Sequence, residues 1–141
     1  MQRFSSIVLV DHRGWVLLQE RDEHPVIDPE KWGFVGGHCD DDEDYETCAY
    51  RELAEETGIR LDGGLELVRT FEVHHAATRS DDEFALFAMR TPLTDDDVDC
   101  REGRRIVFVD PATVPGLDLT AGAATALPWF LASDAYRRMA S

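Results

Sequence analysis

Basic charge is scarce in this chain: 14 Lys plus Arg stand against 29 Asp plus Glu, a formal charge of −15 at pH 7. Lys31 is the only lysine. Such a balance excludes broad, sequence-independent binding to polymeric nucleic acid or to an anionic membrane, because both need cationic side chains that release counterions. A small anionic ligand would have to be met by a local device, either a metal ion or a few converging arginines. Cysteine is scarce as well. Cys39, Cys48 and Cys100 form no CxxC pair and cannot all be paired within the chain, so a reduced, cytoplasmic setting is the expectation. Long hydrophobic runs are missing: Ile7 to Val10, the longest aliphatic run near the start, ends at Asp11. It is too short for a membrane span or a signal peptide. With no internal repeat and no low-complexity linker, the expectation is a single domain over residues 1–141.

What is present suits a folded domain. Hydrophobic residues make up 43% and aromatics 9%, so the acidity does not imply disorder, which requires low hydrophobicity as well as charge. Ile7 to Val10 and Trp15 to Gln19 read as strands joined through the turn-prone Asp11, His12, Arg13 and Gly14. A proline-bearing loop, Asp22 to Glu30, leads to a strand Trp32 to Val35 that should end at the Gly36-Gly37 turn. Tyr45 to Thr57 contains neither Pro nor Gly and is followed by Gly58, which predicts a helix. Further strands are expected at Leu65 to Val73, Phe84 to Met89 and Ile106 to Val109, separated by polar or acidic loops. The clusters Asp40 to Asp42, Asp81 to Glu83 and Asp95 to Asp97 read as solvated turns, without the frame of an EF-hand. From Thr120 to Met139 the chain looks helical, with Thr120 as a cap and Pro128 starting, kinking or splitting it. The pattern is α/β: a mixed sheet with helices on its faces.

On the predicted helix, Glu55 and Glu56 lie about 60° and about 40° to either side of Glu52, so three carboxylates share one arc. Tyr50, Leu53 and Ala54 fall on the other side and can face a core. An isolated E-x-x-E-E is ordinarily a solvated face whose charges repel by a few tenths of a kcal/mol per pair. A divalent cation would turn that repulsion into a site, since carboxylates at i, i+3 and i+4 suit hard ions such as Mg2+ or Mn2+. The frame around the helix decides between the two. Gly37, five residues, Glu43, seven residues, then Arg51, Glu52, Leu53, Ala54, Glu55, Glu56, Thr57, Gly58 and Ile59 match the pattern G-x5-E-x7-R-E-U-x-E-E-x-G-U, with U aliphatic. At roughly one in fifteen per fixed position, chance does not produce such a match. The chain resembles the Nudix hydrolases, through a complete signature and, more loosely, through strand order over nearly its whole length.

The resemblance implies a Nudix-type α/β/α sandwich around a mixed sheet. It also implies hydrolysis of a diphosphate linkage in a nucleoside diphosphate joined to another group, using water and a divalent metal. By resemblance Glu52, Glu55 and Glu56 are the Mg2+ or Mn2+ ligands, with Glu52 the first candidate for general base. The Gly36 carbonyl is a further ligand in similar proteins. Glu43 and Arg51 are expected to pair and hold the loop against the helix. A nucleoside triphosphate, oxidised or not, is preferred over a nucleotide sugar or ADP-ribose because the chain is short and carries no recognisable substrate-specific extension. A catalytically silent nucleotide-binding module is the rival from another class, but the glutamate cluster is not eroded. Similar proteins often form homodimers, and no interface signal stands out here. Two positions depart from the usual pattern, Asp42 for a glycine and Val35 for a proline; they bear on loop shape and substrate fit.

Outside the signature, Arg21 closes the second strand where similar proteins often bind phosphate, an ordinary strand-end arginine being the competing reading. Trp32 and Phe34 alternate onto one face, where one could stack on a base, burial being the other fate of Phe34. Glu102, before Gly103, Arg104 and Arg105, resembles the additional catalytic or metal-binding glutamate that many Nudix enzymes take from a later loop. Glu83 competes with it. His74 and His75 end a strand and point to opposite faces, so that one could approach substrate. No local signature supports a nucleophilic triad, which argues against a covalent mechanism.

Overall fold

A computed structural model describes residues 1–141. Seven strands form one mixed sheet: β1 (Arg3–Val10), β2 (Val16–Glu20), β3 (Trp32–Gly33), β4 (Val35–His38), β5 (Glu66–His75), β6 (Ser80–Arg90) and β7 (Arg105–Val109). The helices are α1 (Tyr45–Thr57), α2 (Ala121–Leu131) and α3 (Asp134–Ala140). No helix is long and apolar enough to cross a membrane.

β1 lies at the centre, parallel to β6 from Arg3↔Glu83 to Val10↔Arg90 and antiparallel to β4 and β2. Strand alternation explains how its aliphatic run serves two cores. Ile7 and Leu9 pack with Ala49 and Leu53 of α1, while Val8 and Val10 pack with Leu127 and Phe130 of α2 and Met139 of α3. β6 divides likewise, with Ala85 and Phe87 toward α1 and Phe84, Leu86 and Ala88 toward α2. A run apolar on both faces needs cover on both, which makes the α/β/α layering.

The structure corrects three expectations. The strand expected to end at Gly36-Gly37 instead crosses from β2 to β1 at Phe34, and β4 continues through both glycines, opposite Ser5 and Ser6. Asp81 to Glu83 are not a solvated turn but part of β6. Asp82 is fully buried because it accepts from the Gln2 amide at 2.8 Å and from Ser80 at 2.9 Å, and pairs with His75 at 2.6 Å. The C-terminal segment does cap at Thr120, which accepts from the Ala123 amide at 3.2 Å. Its split falls not at Pro128, which lies inside α2, but after Leu131, where Ser133 caps α3 by accepting from the Tyr136 amide.

Candidate active site

α1 starts where the Asp44 side chain accepts from the Thr47 amide at 2.7 Å and stops where the Gly58 amide bonds to Ala54 O at 2.9 Å. With Leu53 locked in the core, rotation about the helix axis is fixed, and Glu52, Glu55 and Glu56 are brought to a cavity of about 610 Å³ beside β4. The strand approaches the helix closely. A Cβ on Gly37 would lie 2.5 Å from Glu52 Oε2, and one on Gly36, whose φ is +149°, would lie 2.0 Å from Ser5 O. Backbone packing therefore demands a glycine at 36, whereas a Cβ at position 37 would displace the Glu52 carboxylate.

Glu43 and Arg51 stand behind this wall. Arg51 Nε and a terminal guanidinium nitrogen each donate to Glu43 at 2.7 Å. That guanidinium holds the Glu43 carboxyl at about 2, against the opposing effect of burial. The terminal nitrogen that bonds Glu43 also donates to His38 O at 3.1 Å, and the other terminal nitrogen reaches Glu52 Oε1 at 3.0 Å and Glu55 Oε2 at 3.2 Å. One arginine thus fastens the loop, the strand end and the helix together.

The three helix carboxylates differ sharply. Glu55 is exposed, the Glu52 side chain is mostly buried, and Glu56 is only 4% exposed, with Oε1 accepting the Gly36 amide at 3.1 Å. Burial pushes Glu56 up to about 9; the Glu102 carboxyl pressed against it adds to the rise and the Gly36 N–H opposes it. Burial also raises Glu52, with Arg51 pulling the other way. Glu102 reaches the site because Gln19 Nε2 donates to its carbonyl at 2.9 Å and the Arg101 amide ties the preceding residue to Glu56 O at 2.9 Å. The rival Glu83 is bonded to the Tyr45 hydroxyl and does not line the cavity.

Arg21 and Phe34 also line the cavity. Arg21 Nε is buried and has no hydrogen-bond partner, a condition a buried donor seldom tolerates without a ligand. Phe34 is 9% exposed and packs 6.5 Å from the Phe84 ring. Trp32, expected to bind substrate with it, faces the same side of the sheet but lies outside the cavity, its ring 5.1 Å from the Arg105 guanidinium. Trp32 pairs with Glu20, one position along from the Gln19–Gly33 pair that borders the cavity. Of the two histidines, His75 lines the cavity and is anchored through Nδ1 to Asp82, whereas His74 is exposed and pairs with Asp81 at 2.8 Å. Gln19 and the His75–Asp82 pair escaped the reading of the sequence. Strand alternation at His74 and His75 was the only signal that could have pointed to one of them.

The oxygen-only donor set fits a hard divalent cation. Four carboxylates face one cavity, and one of them is buried without a cationic side chain of its own.

A sheet layered between helices, with glutamates of the central helix turned to a cavity beside a double-glycine strand, defines a Nudix-type domain. The chain belongs to the Nudix family: the family model described as NUDIX domain matches residues 2–130. Solved structures share the fold. A MutT protein from Methanosarcina mazei Go1 is 22% identical, with 97% of this chain and 93% of that one covered at a TM-score of 0.73. The E. coli dihydroneopterin triphosphate pyrophosphohydrolase is 19% identical, covering 91% and 93%, with a TM-score of 0.74. The Nudix domain of Shewanella oneidensis NrtR, solved with ADP ribose, is 20% identical over 89% and 83%, with a TM-score of 0.73.

Proposed function

We propose that this Nudix hydrolase cleaves a diphosphate linkage in a nucleoside diphosphate-X substrate, with a nucleoside triphosphate as first candidate, in a Mg2+ or Mn2+ dependent reaction. The observation that carries the reading is the mixed lining of one cavity. Glu52, Glu55, Glu56, Glu102 and Gly36 share it with Arg21, whose Nε is buried and unpartnered. Acids alone would repel a diphosphate. The arrangement makes sense when a cation lies between the carboxylates and the phosphates.

Glu52, Glu55, Glu56 and the Gly36 carbonyl would hold the cation. When bound, it supplies charge neutralisation of the diphosphate and a lowered pKa for water. The chain's own residues do the rest. Glu52 Oε1 is engaged by Arg51, which leaves Oε2 to accept a proton from the attacking water as its oxygen bonds to phosphorus. The P–O bond of the anhydride breaks, and its bridging oxygen leaves with the departing phosphate. Arg21 donates to phosphate oxygens, Phe34 offers an apolar wall to the base, and the Glu43–Arg51 pair keeps Glu52 in place. Glu102 faces Glu56 and acts as a further ligand or base.

The test is a panel of nucleoside triphosphates, oxidised nucleotides, nucleotide sugars, ADP-ribose and dihydroneopterin triphosphate, assayed with Mg2+ or Mn2+ and then with chelator. Metal-dependent turnover of at least one member is expected. Glu52→Gln should lower kcat by about 10²–10⁴-fold, and Glu56→Gln should abolish the metal response. Binding of a nucleotide with no turnover of any member would move the assignment to a silent module.

A further inference from the structure

A second cluster of ligating side chains lies behind the glutamates. Cys39 follows β4, Cys48 sits in the first half of α1, and Glu43 lies on the loop between them. One ligand atom from each falls within 4.8 Å of the other two. Both sulfurs are buried, and the Glu43 side chain is only 8% exposed. Glu43 has about four lone-pair positions. Arg51 Nε takes one at Oε2, and an Arg51 terminal nitrogen and the Asp40 amide take two at Oε1. That leaves one position at Oε2. The sulfurs otherwise have only weak partners, Ser5 Oγ at 3.5 Å from Cys39 Sγ and Gly37 O at 3.8 Å from Cys48 Sγ. Exposed Asp40, Asp41, Asp42 and Asp44 flank Glu43 in the chain and concentrate cations near that loop.

We propose that Cys39, Cys48 and Glu43 form a site for a thiophilic divalent cation such as Zn2+ or Cd2+, distinct from the hard-ion site on Glu52, Glu55 and Glu56. Two thiolates and a carboxylate are a donor set that selects soft or borderline ions over Mg2+. Metal–sulfur bonds of about 2.3 Å and a metal–oxygen bond of about 2.0 Å place such ligands under 4 Å apart in a tetrahedron, so a closure of about 1 Å suffices. The balance is simple: two S–H bonds break, two metal–sulfur bonds form, and two protons go to solvent, with no change of oxidation state. Water or Ser5 Oγ completes the fourth position. An ion at Oε2 weakens the Arg51 Nε bond to that same oxygen, and the other Arg51 donors already reach Glu52 and Glu55. Resting on the hydrolase reading, this makes the soft ion an inhibitor that acts through Arg51 rather than by displacing Mg2+.

Binding is read without any activity assay. In Cys100→Ser only Cys39 and Cys48 remain as thiols. Titration of that folded variant with Cd2+ in excess Mg2+ should develop an ultraviolet thiolate-to-metal charge-transfer band that saturates at one ion per chain. Chelator should reverse it, Zn2+ should compete it away, and the affinity should rise with pH. Glu43→Gln should weaken Cd2+ binding by about 10-fold or more. No saturable band in Cys100→Ser overturns the site, and undiminished affinity in Glu43→Gln overturns the three-ligand assignment. Turnover with Mg2+ should fall as the band grows. A band without inhibition keeps the site and removes only its coupling to the hydrolase.

Discussion

Glu56 carries an electrostatic conflict: a buried carboxyl whose charged neighbours are two further carboxyls, Glu102 and Glu52. Its folded pKa, near 9, lies far above the ordinary glutamate value of about 4.3. Between those values the folded state keeps a proton that the unfolded state has lost. The stabilising share is complete below about pH 4.3 and disappears as pH rises toward 9. In chelated protein, melting temperature should therefore fall between about pH 5 and about pH 9, and Glu56→Gln should flatten that slope. Identical slopes in thermal melts of the two proteins would sink the assignment. Glu43 works in the opposite sense. The Arg51 guanidinium lowers it to about 2, so its contribution is complete above about pH 4.3 and is lost as pH falls toward 2. Acid-unfolding curves of Glu43→Gln should show a weaker pH dependence across that window than wild type.

At the scale of elements, α1 couples core to chemistry through one residue. Leu53 is fully buried against β1 and β4, and Leu53→Ala should cost about 2–5 kcal/mol of stability in denaturant titrations. β4 couples them from the other side. Gly37→Ala would push a methyl group into the Glu52 carboxylate, so turnover should drop while the melting temperature changes little. Gly36→Ala meets backbone at Ser5 and should destabilise the fold itself. α1 and its glycine stop were readable from the sequence because helix boundaries depend on residues within a few positions. The continuation of β4 through the two glycines was not. It depends on Ser5 and Ser6 of β1 offering hydrogen bonds to a segment that by local propensity should have ended. The break after Leu131 escaped for a related reason: Pro128 satisfies α2 without ending it, and the Ser133 cap needs α3 packed against β1.

For the whole molecule, the charge of −15 sets what can approach. Seven of the thirteen arginines pair with acids, among them Arg13 with Asp11, Arg104 with Glu23 and Glu30, and Arg138 with Glu66. Arg21 is different, its Nε buried and unpaired in the cavity the glutamates also line. The protein should pass a polyanionic resin unretained even at low ionic strength, where cationic surfaces bind most tightly. Retention there would reveal a basic face that neither the composition nor these ion pairs suggest.

The chain by itself determined the grouping of Glu52, Glu55 and Glu56, because helix geometry converts spacing into proximity, and the signature it carries implied the pairing of Glu43 with Arg51. It determined the two-faced sheet as well, since Ile7 to Val10 and the apolar run of β6 are hydrophobic at every position. Tertiary structure decided which glutamate is buried, that Glu102 rather than Glu83 meets the cavity, that Arg21 has an idle nitrogen, and that Trp32 lies outside. It also brought Cys39 and Cys48 together against Glu43. Each of these rests on contacts between segments far apart in sequence or on the depth of a side chain below the surface, and neither burial nor long-range register is written in any local stretch of residues.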